Sequence, residues 1–134
     1  MTTCPFSVYY RTTKLEGIKK MSEAKALYLS TEMDAETRTF TVGDSYKLIS
    51  DAVEGWIECV HLPSLGVDLW CNEEGKLAGL PQNEIASYLF HKEFGQFDSI
   101  RGNVIFTGGA DDEGETVGLT EDQIKTLTEL FGEV

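Results

Sequence analysis

The chain has 134 residues, enough for one domain with a buried core, and its 41% apolar and 10% aromatic content excludes wholesale disorder. Its formal net charge of −12, from 23 acidic and 11 basic residues, repels phosphate and disfavours direct binding of DNA or RNA. The apolar runs fall short of a membrane span, and the first 20 residues lack the apolar stretch of an export signal. The expectation is a cytoplasmic protein, with no membrane partner, whose partners are proteins, basic ones or those that normally hold nucleic acid. Solubility alone is the plainer explanation of the charge.

Residues 1–20 carry Arg11, Lys14, Lys19 and Lys20 against Glu16, a sum of +3, which leaves −15 for the remainder. This segment is Thr-rich and aperiodic, and it is expected to be a flexible extension to a single α+β domain over 21–134. Strands are expected over Lys25–Ser30 and Glu36–Val42, joined through Glu32-Met33-Asp34 as a hairpin. Asp44 can cap a helix whose apolar stripe is Leu48, Ile49, Ala52 and Val53, ended by Gly55. Trp56–Leu62 and Val67–Asn72 follow as a second hairpin around Pro63-Ser64.

Glu73-Glu74-Gly75-Lys76 reads as a tight turn with Gly75 in the left-handed conformation. Pro81 is placed near the first turn of the next helix, with Asn83 as its cap and Ile85, Ala86, Leu89 and Phe90 as its buried face. Gly102–Thr107 is a strand, followed by an acidic, Gly-rich loop to Gly118. Thr120-Glu121-Asp122-Gln123 is a capping-box pattern that opens a last helix with Ile124, Leu127, Leu130 and Phe131 inward and Gly132 at its end. Hairpins outnumber crossovers. The predicted fold is therefore α+β, a mainly antiparallel sheet of about five strands with two to three helices on one face.

The run Asn72-Glu73-Glu74-Gly75-Lys76-Leu77-Ala78-Gly79-Leu80-Pro81-Gln82-Asn83, with Ala86 and Gly102-Asn103-Val104-Ile105-Phe106 after it, resembles a family of small phage and bacterial proteins. That family is known only as a domain of unknown function. Val53-Glu54-Gly55-Trp56-Ile57-Glu58 also fits its pattern, so the resemblance covers roughly residues 45–107. It implies an accessory role in a phage or mobile element, in the host cytoplasm, and supplies no reaction.

Candidate site residues are few. Asn72, Glu73 and Asn83 could form a small polar pocket, although shaping a turn and capping a helix explains them without a ligand. Trp70 alternates with Asp68 and Asn72 and is expected to face outward, whereas Trp56 defaults to the core; with Tyr88 and Phe94, Trp70 is a candidate contact surface. Cys59 and His61 share a strand face, with Cys71 across the hairpin, so a thiol–imidazole nucleophile is conceivable, but Cys59 reads more simply as a small buried hydrophobe. Nor do the three cysteines, in an odd number and without Cys-x-x-Cys spacing, suggest a metal site.

The acidic loop from Asp111 matches a calcium loop at several positions but has Thr116 where that loop needs glycine, and a strand where it needs a helix. No P-loop, nucleophile elbow or dinucleotide fingerprint is present. The leading expectation is a non-enzymatic binder of a host protein, without a cofactor. A nucleic-acid mimic, a small-ligand binder or enzyme using residues 72–83, and a homo-oligomer are the alternatives.

Overall fold

A computed structural model describes residues 23–134, so the basic extension expected at 1–20 lies outside the described residues. In chain order the elements are β1 (Glu23–Leu29), β2 (Ala35–Thr41), α1 (Ser45–Val53), β3 (Ile57–Leu62), β4 (Val67–Asn72), α2 (Glu84–Phe94), β5 (Val104–Gly108) and α3 (Glu121–Phe131). The five strands form one antiparallel sheet in the order β2-β1-β5-β4-β3. Two hairpins, β1–β2 and β3–β4, are thus joined by β5, which enters last and occupies the centre.

The α+β architecture is the one the hairpin pattern predicts. Two of the helices share one face, as expected, and the third packs on the other. Leu27, Leu29, Leu69, Val104 and Phe106 point to the side covered by α2, through Ile85, Leu89 and Phe90, and by α3, through Leu127. Ala26, Phe40, Trp70 and Ile105 point to the opposite side, where Ile49 and Ala52 of α1 pack on them. The physical reason is visible in β5. Val104-Ile105-Phe106-Thr107 does not alternate and is buried throughout, as a central strand covered on both sides must be. A strand covered on one side only would show apolar residues at every second position.

The tryptophans reverse their expected places. Trp70 is 6% exposed, lies under α1 and donates its Nε1–H to Thr107 Oγ1 at 2.9 Å. Trp56, just before edge strand β3, is 64% exposed. Alternation with polar Asp68 and Asn72 misleads here because both are engaged within the fold. Asp68 pairs with His61, and Asn72 Nδ2 donates to Val53 O at 3.1 Å and so ties β4 to the end of α1.

Caps fix the helix starts unevenly. Thr120 and Gln123 make both bonds of the capping box. Asn83 Oδ1 accepts from Ala86 N–H at 3.1 Å. Asp44 occupies the cap position of α1 but makes no side-chain cap bond. Pro81 lies outside α2, beside an isolated bridge between Gln82 and Arg101.

Candidate functional site

A groove of about 600 Å³ lies at the β3 edge of the sheet. Glu58 and Val60 of β3 and Cys71 of β4 form its floor, Phe90 of α2 and the 98–101 segment form one wall, and the turn after Asn72 forms the other. Asn72 and Glu73 line it, as the sequence suggests, together with Lys76, Leu77, Asp98 and Arg101.

The turn is a compact unit. Asn72 Oδ1 accepts from Glu74 N–H at 2.8 Å, Gly75 N–H donates to Asn72 O at 3.1 Å, and Leu80 N–H donates to Gly75 O at 3.0 Å. Gly75 is not left-handed, contrary to the expectation; Gly79 takes that conformation, with φ 71°. Gly75 is needed for closeness instead. A Cβ there would lie 3.1 Å from Arg101 O and 3.2 Å from Arg101 Cβ.

The opposite wall is held from two sides. His91 Nε2 meets Asp98 O at 2.6 Å, and the Ser87 hydroxyl and Ile100 backbone bond each other, Ser87 Oγ accepting from Ile100 N–H at 2.8 Å. The Lys76 ammonium bridges to the Asp98 carboxylate across the groove. That bond, with a second from Ser99 N–H, holds the Asp98 carboxyl below its usual range. Phe90 contacts Phe94 and Phe97 at ring-centroid distances of 5.1 and 5.4 Å. Phe97, beside Phe90, is 74% exposed, and Leu77 on the other wall is 89% exposed.

The remaining candidates do not converge on the groove. Asn83 is 0% exposed, and its Nδ2 donates to Gly102 O at 3.1 Å and to Leu29 O at 3.3 Å, so its amide is consumed by the fold. Trp70 is under α1. Tyr88 is directed away, toward the segment just after α3, where its hydroxyl donates to Glu133 Oε1 at 2.8 Å. Sequence reasoning misses Leu77, Phe97 and Arg101. The one available signal is composition, since Leu77 is an isolated apolar residue in a polar turn and Phe97 an isolated one in a loop.

On the α1 side, His61 Nδ1 and Asp68 Oδ1 lie 2.7 Å apart across the β3–β4 pair, with Cys59 beside them on the same face. Cys59 is exposed as a residue, yet burial of its thiol, followed by the adjacent Asp68 carboxylate, pushes that thiol up to about 12. Whatever water reaches the sulfur, a neighbouring carboxylate disfavours the thiolate. Cys71 is on the opposite face and is likewise pushed up to about 12 by burial. The arrangement therefore suppresses the nucleophile that the sequence spacing allows. Among the described residues no group of three or more His, Cys, Asp or Glu side chains is placed to hold a metal ion, and no helix is long and apolar enough to cross a membrane.

In the acidic loop, Asp111 Oδ1 accepts from Glu113 N–H at 2.9 Å and from Glu115 N–H at 3.0 Å, closing a turn capped by the Ala110–Thr116 bridge. Asp111 thereby shapes the turn with its own carboxylate. Glu115 is buried, and burial and then Asp111 raise its carboxyl above the usual range.

A family model described as a domain of unknown function, DUF3846, matches residues 24–132. The chain belongs to the DUF3846 family. No curated protein matches it, and no solved structure does. The DUF3846 match takes in every described strand except the first residue of β1, together with all three helices, and so includes the groove. The 72–83 motif supplies one wall of that groove and leads into α2.

Proposed function

We propose that this DUF3846 protein is a non-enzymatic binding protein that docks on another protein through the groove and alters its activity. The observation that carries the reading is the exposure of Leu77, which lines the groove, and of Phe97, which packs with Phe94 against the groove-lining Phe90. Isolated exposed apolar residues need no explanation, but large ones gathered on a concave site favour an interface. The mixed lining of Val60, Glu58 and the Lys76–Asp98 pair adds the polar marking that gives such a site orientation. In the phage or mobile-element setting implied by the motif resemblance, the partner is a host protein in the host cytoplasm.

A small-ligand or enzymatic reading draws less support. Asn83 and Asn72 spend their amides on backbone carbonyls, and both described thiols are held protonated. The test is capture of a stoichiometric partner from host lysate by the tagged full chain, repeated with Leu77→Ser and Phe97→Ser. Both positions are exposed, so the variants keep the fold, which circular dichroism checks. The reading expects both to lose the partner while Tyr46→Ser, on α1, keeps it. Equal retention by all three would remove the groove from consideration.

A further inference from the structure

The sheet order leaves β3 at an edge, with β4 its only strand neighbour among the described residues. Which backbone groups point outward follows from the ladder. Glu73 N–H donates to Trp56 O at 2.8 Å, so Trp56 and, by alternation, Glu58, Val60 and Leu62 direct their N–H and C=O groups toward β4. Ile57, Cys59 and His61 then direct theirs away from the sheet. These three donors and three acceptors have no strand partner among the described residues.

Edge strands commonly carry a lysine, a proline or a bulge that blocks further pairing. Ile57-Glu58-Cys59-Val60-His61-Leu62 has none of these, and its register with β4 is unbroken over all six residues. The other edge, β2, carries Arg38, paired with Glu36. Beside β3 the groove lies on the face of Glu58 and Val60, where it can receive every second side chain of an added strand.

Charge selects the occupant. Glu58 and Glu73 line the groove without a cationic partner among the described residues, while Asp98 is neutralised by Lys76. The groove's other lining cation, Arg101, pairs with no carboxylate among the described residues and turns its guanidinium to Leu80 O. A second copy of this chain is a poor occupant. Each copy carries −12, and antiparallel pairing of two β3 strands about a twofold axis normal to the sheet would place both Glu58 side chains on one face.

Resting on the docking reading above, we propose that the partner contributes an extended segment with alternating apolar and basic side chains, which adds to the sheet as a sixth strand along β3. The test uses the full chain labelled with nitrogen-15 and three capped octapeptides. These are an alternating Lys–Val peptide, the same peptide N-methylated at every second amide on its pairing edge, and an alternating Glu–Val peptide. With the first at about 1 mM, a concentration suited to weak short-peptide binding, the amides of Ile57, Cys59 and His61 are expected to shift and to exchange about tenfold more slowly. The N-methylated and Glu–Val peptides are expected to leave them unchanged.

Equal protection by the Glu–Val peptide would overturn the basic character of the segment, and protection by the N-methylated peptide would overturn strand pairing. Shifts confined to Leu77, Phe90 and Phe97 would overturn strand addition while leaving groove docking intact. No response to any peptide would overturn strand addition along β3, and the fate of the docking reading would still be read separately from partner capture by the Leu77 and Phe97 variants.

Discussion

Asn83→Ala removes a side chain that serves three backbone groups at once. The Oδ1 bond to Ala86 N–H is the cap of α2, and losing such a cap costs about 1 kcal/mol. The Nδ2 donor satisfies Gly102 O and Leu29 O in a site with no solvent access. Stranding each carbonyl costs about 1 kcal/mol at the low end of the range for buried polar groups. The total is about 3 kcal/mol, or about 10 °C in Tm for a domain of this size. Asn83→Ser keeps a cap and should lose only about 2 kcal/mol. Asn83→Asp also keeps a cap but sets a carboxylate against two carbonyls, so it should be no more stable than the alanine variant. Urea denaturation with an unchanged slope measures all three. If Asn83→Ala were nearly as stable as the native chain, or Asn83→Asp fully stable, the structural assignment of this residue would fail. Loss of a ligand or partner at a temperature where Asn83→Ala is still folded would return it to the site.

Further consequences follow from the same contacts. Thr120→Ala removes the capping box of α3 and should cost about 1 kcal/mol by the same denaturation assay. Gly118→Ala places a Cβ 2.7 Å from Lys25 N and 2.7 Å from Ala24 Cβ; because backbone must move, a loss of about 2 kcal/mol is expected. The raised carboxyl of Glu115 means the folded state holds its proton more tightly than the unfolded chain. Stability from this group is therefore present below the ordinary value of 4.5 and is lost as pH rises through that value and the higher folded one. Glu115→Gln should accordingly gain stability over the native chain at pH 7 and lose that advantage below 4.5, as thermal melts across pH would show. With its thiol at about 12, Cys59 should alkylate at pH 7.5 far more slowly than an unperturbed thiol, and Asp68→Asn should speed it. Rapid alkylation of Cys59 in the native chain would contradict the assigned electrostatics.

Much of the fold is written locally. Both hairpins, the three helices and the two side-chain caps at Asn83 and Thr120 follow from alternation, periodicity and cap chemistry within a few residues of each other. What local reading misses depends on partners far along the chain. Trp70 is buried because α1 crosses that face and Thr107, 37 positions away, accepts its indole N–H. Trp56 is exposed because it precedes an edge strand, and edge position is a property of sheet order. Gly75 answers to Arg101 pressing on it rather than to its own φ.

The candidate site was legible only in part. The 72–83 motif marks the right region, since Asn72 and Glu73 line the groove, but its two asparagines build the frame. Leu77 and Phe97 stand 20 positions apart, and Phe97 is tied to the groove only through its contact with Phe90 of α2.

The most direct test of groove docking is photo-crosslinking in host lysate from a photoreactive residue placed at Leu77, with the same residue placed at Tyr46 of α1 as the comparison. Both side chains are exposed; Leu77 lines the groove, and α1, which carries Tyr46, packs on the opposite face of the sheet. The account predicts one dominant adduct from position 77, competed by unlabelled native chain, and none from position 46. No competed adduct from position 77, or the same adduct in equal yield from position 46, would contradict it.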